Sequence, residues 1–373
     1  LVARELDSPY ERPPLSKEYL SGESTREDAL VVPEKWWEEH DVELLKRTSV
    51  MKLDSGERVA KLSTKEEVGF GKALLATGAN VRRLRNDGSD LEGIHYLRAF
   101  GNADSIAEDS EEAENVVLIG GSYIGSEVAA SLTKLGKKCT IVMQEDCSFG
   151  HVFGETVGCF FHELLESKGV TLQNSDELDR FEGEERVSKV VTAKGAEFPC
   201  DMVVVGVGVM PDTMLAKGAG LEIGESGGVL CSAQLETSVR GIYAAGDMCE
   251  YDDPVFGPLR VEHWDVARAH GITAAKNMLG ADAPHDEVPY FFSDLADWAS
   301  LEYVGRGSGE PVIRGSIPDG EFSAFYTGDD GAVTAALSVG RSDDLDHARR
   351  MIKARSKPGT AALADIGTDL ATL

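Results

Sequence analysis

The run from Val116 to Leu132, VVLIGGSYIGSEVAASL, constrains the fold more than any other part of the chain. Four apolar residues lead straight into Gly120 and Gly121, and small residues then recur at helical spacing. That order describes a strand, a tight turn and a helix. Gly120 permits the turn, and Gly125 lets the helix pack close against the strand. The helix ends at Leu135-Gly136, and a second apolar strand, Cys139 to Met143, follows at once. Two strands joined by a helix form a βαβ unit of a parallel sheet. Its turn offers free backbone N–H groups and the positive end of a helix, which suits a pyrophosphate.

Glu145 lies twenty residues past Gly125. An acid there can hold the ribose hydroxyls of NAD and repel the 2′-phosphate of NADP. With Asp146 beside it, a plain solvated acid is the other reading. The middle glycine of the pattern is replaced by Ser122, which brings a Cβ and a hydroxyl close to where the pyrophosphate would lie. A second chemical signal is Ala244-Ala245-Gly246-Asp247. An acid just past a buried strand sits at the carboxyl edge of the sheet, where ligands bind. It can equally cap a helix.

The chain has 373 residues, enough for about two or three domains. A net charge of −28 excludes nucleic acid as a partner, because phosphate binding needs a basic face. No apolar run approaches the roughly 18 residues of a membrane span. Six cysteines, at 139, 147, 159, 200, 231 and 249, never fall at zinc-ribbon or iron–sulfur spacing, so no metal site is expected. Their placement suggests packing in a reduced, cytoplasmic setting.

Short strands at 42–45, 48–51, 59–62 and 73–76 predict a β meander. A surface helix or linker covers 105–114, and helices are expected near 156–168, 265–279 and 345–355. The run MVVVGVGVM at 202–210 reads as one buried parallel strand. After Pro284 the text turns to aromatic strands, with a hairpin at Asp329-Asp330-Gly331.

Taken with PYERPPLSK at 9–17, Ala76-Thr77-Gly78-Ala79, the segment from Thr237 to Asp247, Val261-Glu262-His263-Trp264 and Pro289 to Ser293, the chain resembles the FAD-dependent pyridine nucleotide-disulfide oxidoreductases. Within them it is most similar to the ferredoxin reductase and apoptosis-inducing-factor-like branch. The resemblance implies an α/β fold: two Rossmann-like three-layer dinucleotide-binding domains, the first truncated, plus an α+β C-terminal interface domain. The expected limits are 1–104 with 230–285 for FAD, 105–229 for NAD and 286–373 for the interface domain. It also implies that a first βαβ unit of roughly 30 residues, carrying the FAD pyrophosphate turn, belongs before Leu1.

By the same resemblance FAD contacts fall to Glu5, Arg12, Lys17, Ala76, Thr77, Gly78, Asp247, Glu262, His263 and Trp264. NADH contacts fall to Gly120, Gly121, Ser122, Tyr123, Ile124, Gly125, Glu127, Glu145 and Gly208. Lys17 and Glu127 stand nearest the chemistry, as a pair beside the flavin where nicotinamide stacks. A lysine there stabilises the anionic reduced ring, and Glu127 orients it. Phe292 stands where many such reductases carry Trp.

The implied activity is hydride transfer from NADH to FAD, then single electrons to a ferredoxin or Rieske-type iron–sulfur protein. No cysteine lies within 9–25, which disfavours dithiol chemistry at the flavin. Two alternatives remain: an apoptosis-inducing-factor-like NADH oxidase or quinone reductase, and a non-catalytic NADH-sensing module. A homodimer is left open. Arg341, Arg349, Arg350, Lys353, Arg355 and Lys357 form a docking face or simply a solvated helix end.

Overall fold

The computed structural model describes residues 1–373, and the chain divides into two compact units. One comprises 1–12, 26–80 and 209–289; the other comprises 13–25, 81–208 and 290–373.

The second unit is built on a five-stranded parallel sheet. Its order is Ile94–Tyr96, Met202–Val205, Asn115–Ile119, Lys138–Val142, Thr171–Gln173. Val203 and Val204 are buried on the sheet, as are Val116, Val117 and Leu118. Strands covered on both faces need such unbroken apolar text. The helix Tyr123–Lys134 makes the crossover and turns small residues, Gly125, Ser126, Ala129 and Ala130, into the core. Beside the sheet lies an antiparallel meander of Leu178–Gly183, Val187–Thr192 and Glu197–Pro199. The same unit holds a five-stranded antiparallel sheet, Tyr290–Leu295, Ala299–Gly305, Val333–Val339, Glu321–Thr327, Val312–Ser316, with the helix Asp343–Ala354 packed on it. Thr327 pairs with Val333 across the expected Asp329-Asp330-Gly331 hairpin.

The first unit packs a core of Leu75, Leu235, Ile242, Met248, Tyr251 and Leu259. The strands Ala73–Leu75 and Ile242–Ala244 pair in parallel, and the helix Trp264–Met278 follows.

Three local expectations change. Residues 42–45 form no strand; only an isolated bridge joins Val2 to Leu45. The meander is Val50–Asp54, Val59–Leu62 and Glu67–Gly69, while Ala73–Leu75 leaves it for its parallel partner. The run 202–210 breaks after Val205. A Cβ on Gly206 would stand 3.1 Å from the Gly125 nitrogen, a tight fit against the helix. Burial ends with the strand: Val205 is buried, whereas Gly208 and Met210 are exposed, so the run is not one buried strand.

Candidate active site

The glycine turn is a packed knot. Gly120 has φ +108°, and a Cβ on it would lie 2.5 Å from the Gly206 carbonyl oxygen. A Cβ on Gly125 would lie 2.0 Å from the Gly120 oxygen. Each glycine is therefore required by a backbone neighbour, which fixes the start of the helix Tyr123–Lys134. Ser122 sits at its N-cap in an extended conformation (φ −102°, ψ −172°), and its side chain makes no capping hydrogen bond. The first-turn N–H groups keep their capacity for an external acceptor. Tyr123 packs edge-on against Phe291 (centroids 5.1 Å apart), and burial pushes its phenol well above the usual range. Ile124 is exposed. Glu145 faces His151, Oε1 to Nδ1 3.3 Å. Gly208, at φ +88°, accepts a hydrogen bond from the Arg82 N–H.

One turn into that helix Glu127 is 5% exposed. Three donors converge on it: Lys17 Nζ at 3.2 Å, Ser16 Oγ at 2.5 Å and Ser293 Oγ at 2.6 Å. The 3₁₀ turn Pro13–Ser16 presents Ser16 and Lys17 together. Ser131 donates to the Ser16 carbonyl at 2.7 Å and so ties that turn to the helix. Lys17 Nζ also lies 5.1 Å from the centre of the Phe292 ring. A buried carboxylate with an ammonium and two hydroxyls is well compensated, and its proximity holds the ammonium in one place. Ser16 and Ser293 escaped the sequence reading. Their signal was present, since Ser16 adjoins Lys17 and Ser293 ends the PYFFS segment.

In the first unit the parallel register Leu75↔Ala244 sets Ala76-Thr77-Gly78 and Gly246-Asp247 at the same sheet edge. Thr77 Oγ1 donates to the Asp212 carbonyl, and its N–H points at Met248 Sδ (3.3 Å). Arg260 NH1 donates to the Asp247 carbonyl (3.0 Å) and to Glu262 (2.5 Å). Its Nε is buried without a hydrogen-bond partner. Arg260 is a residue sequence reading missed, lying two positions before Glu262. His263 occupies the N-cap position of the helix Trp264–Met278 in extended conformation without a side-chain capping bond, and Trp264 Nε1 donates to Glu11. Glu5 accepts from the Tyr10 hydroxyl (2.5 Å) and pairs with Arg12 (2.7 Å). Burial alone would raise the Glu5 carboxyl; the Tyr10 hydrogen bond and the Arg12 charge outweigh it and hold it below the usual range.

These donor sets suit two dinucleotides. An unsatisfied Arg260 Nε beside Asp247 asks for a polar partner in the first unit. An uncapped helix start with a glycine cradle asks for an anion in the second. The basic stretch at the C-terminus is, by contrast, already compensated. Arg341 pairs with Asp344 (2.9 Å), Arg349 with Asp346 (2.7 Å) and Lys357 with Asp330 (3.0 Å). Arg350 donates to the Leu370 carbonyl.

Two parallel-sheet edges, one with a glycine turn and one with a Gly-Asp terminus, suit a protein that binds two nucleotides. The chain belongs to the pyridine nucleotide-disulphide oxidoreductase family, whose model matches residues 1–271, and a reductase C-terminal domain model matches 290–373. It is 32% identical over 367 residues to a ferredoxin–NAD(P)(+) reductase of a Sphingomonas species, covering 96% of this chain and 88% of that one. It is 31% identical to the ferredoxin–NAD(+) reductase component of the anthranilate 1,2-dioxygenase system of Burkholderia cepacia, covering 100% and 92%. Among solved structures, a ferredoxin reductase from Rhodopseudomonas palustris superposes with TM-score 0.94 at 30% identity, over 100% of this chain and 92% of that one. The putidaredoxin reductase–putidaredoxin complex superposes with TM-score 0.93 at 27% identity, over 100% and 90%. No helix is long and apolar enough to cross a membrane.

Proposed function

We propose that this chain is an FAD-dependent NADH oxidoreductase that delivers electrons to a ferredoxin or Rieske-type iron–sulfur protein. The observation that carries the reading is the Lys17–Glu127 pair, drawn out of water at the first turns of the nucleotide helix. FAD, when bound, accepts two electrons as a hydride and gives them up one at a time. The protein's own residues bind and tune. Gly121 and Ser122 offer backbone N–H groups and a hydroxyl to the NADH pyrophosphate, Gly120 shapes the turn while its own N–H is held by the Val142 carbonyl, and Glu145 holds the adenosine ribose. Asp247, Arg260 and Glu262 hold the flavin nucleotide, with Thr77 and Gly78 across the sheet edge. Lys17 supplies positive potential where negative charge develops on reduction, and Glu127 keeps its ammonium from turning to water.

The named relatives support an iron–sulfur acceptor: three are ferredoxin reductases, and the fourth is putidaredoxin reductase in complex with putidaredoxin. Neither the oxidase nor the sensor alternative gains such support. A cytoplasmic setting is part of the reading and rests on six cysteines, all free thiols. The test is anaerobic. NADH added to the FAD-loaded protein should bleach the flavin within seconds, and an added ferredoxin should then restore its colour faster than oxygen or a quinone does. A flavin that stays oxidised under excess NADH refutes the assignment.

A further inference from the structure

Cys147 and Cys159 are twelve residues apart, a spacing that matches no redox motif. The fold nevertheless brings their sulfurs to 2.8 Å. Ordinary packing keeps heavy atoms about 3.5–4.0 Å apart, and a disulfide bond is about 2.05 Å. One glycine makes the approach. A Cβ on Gly158 would lie 2.6 Å from the Gly150 Cα, so the helix Glu155–Ser167 can press its first turns against the turn that carries Cys147. Both cysteines are half-buried and accessible from solvent.

That turn is also the one that presents Glu145. It runs from Glu145 to His151 and is closed by the contact of their side chains at 3.3 Å. Its far end is pinned: Phe149 is fully buried, holds a left-handed φ of 61°, and packs on Tyr123 and Phe161 at 5.6 and 5.3 Å. Its near end is held by hydrogen bonds from Ser175 to the Glu145 carbonyl and from exposed Asn174 to the Asp146 carbonyl. The near end, where the Ser175 hydroxyl also donates to the Asp146 carboxylate, is held by hydrogen bonds among surface residues and the far end by buried rings, so drawing the two sulfurs together displaces the Glu145 side first.

We propose that Cys147 and Cys159 form a reversible disulfide under hydrogen peroxide, and that its closure weakens NADH binding by displacing Glu145. One thiolate attacks a peroxide oxygen; the O–O bond breaks, water leaves and a sulfenic acid remains. The second sulfur attacks the first; the S–O bond breaks, the S–S bond forms and a second water leaves. Two thiols thus lose two electrons and two protons, and the peroxide is reduced to two waters. Burial and the hydrogen bond between the sulfurs push the Cys147 thiol up, so the first step is slow. The second is intramolecular and fast. A reducing cytoplasm keeps the pair open, and oxidative stress closes it. The coupling to NADH rests on the reading of Glu145 as the ribose acid.

The full-length, FAD-loaded protein is treated with hydrogen peroxide, and its intact mass and peptide map are measured. The expected product is lighter by two hydrogens, carries a linked Cys147–Cys159 peptide pair and reverts with a phosphine reductant. Cys159→Ser should abolish the link. NADH affinity, measured by fluorescence titration, should fall about fivefold or more on oxidation of the wild type and stay unchanged for Cys159→Ser. A missing link overturns the pair, and a link with unchanged NADH affinity overturns the switch. Glu145→Ala separates the two readings. If that variant binds NADH normally, the ribose assignment fails while the mass of the link still stands.

Discussion

Separating Lys17 from Glu127 gives the most direct physical test of the site. At 3.2 Å and an effective dielectric constant of about 20, the pair attracts by about 5 kcal/mol. Loss of water around both charges returns several kcal/mol of that. The hydroxyls of Ser16 and Ser293 each add a hydrogen bond to an ionised acceptor, worth about 1.5–3 kcal/mol. Glu127→Leu strands the ammonium, whose side chain is 10% exposed, and leaves both hydroxyls without their acceptor. It should cost about 3–5 kcal/mol of stability. Lys17→Met keeps the stem over Phe292 and leaves the carboxylate its two hydroxyls. Its cost should be about 1–3 kcal/mol. With both changes no charge remains unpaired, so the double variant should fall short of the summed losses by about 2 kcal/mol or more. Urea unfolding of the four proteins at neutral pH closes the cycle. Losses that add to within about 0.5 kcal/mol would mean that the pair carries no coupling, and the positioning argument for Glu127 would be wrong.

Two further outcomes follow from the packing. His270 is fully buried and accepts the Gly246 N–H through Nδ1 (3.2 Å); burial first, and then the neighbouring His285, lower it from 6.5 to about 3. The folded state keeps it neutral while the unfolded chain binds a proton, so stability is full above pH 6.5 and falls by about 1.4 kcal/mol per pH unit below it, levelling near pH 3. His270→Asn should flatten that slope in urea titrations between pH 7 and 5, and parallel slopes would sink the assignment. Gly120→Ala, which meets a backbone oxygen at 2.5 Å and a positive φ, should abolish NADH retention on an affinity resin. Gly121→Ala meets the flexible end of Met143 at 2.3 Å and should be much milder; equal damage from both would contradict the packed-knot account.

What was legible in this chain depended on the range of the interaction. The strand–turn–helix at 116–132 is local: its hydropathy, its glycines and the following strand lie within thirty residues, and the structure reproduces its order. The hairpin at 329–331 is local too. The pairing of Ala73–Leu75 with Ile242–Ala244 is not, since nothing in either triplet distinguishes a parallel partner far along the chain from the next hairpin strand. The site divides in the same way. Lys17 and Glu127 could be named as a pair from the family resemblance, but Ser16 and Ser293 acquire meaning only when the fold brings positions 111 and 166 residues away in sequence beside Glu127 and places their hydroxyls on one carboxylate. Arg260 was invisible because a lone arginine near the end of a short strand has no periodic signature. Cys147 and Cys159 make the point most sharply. Their spacing argues against a thiol pair, yet Gly158 lacks the Cβ atom that would have kept the segments apart. Glycines whose absent side chains admit a neighbour's backbone are thus the one sequence signal that anticipates such contacts, and it becomes readable only when the neighbour is known.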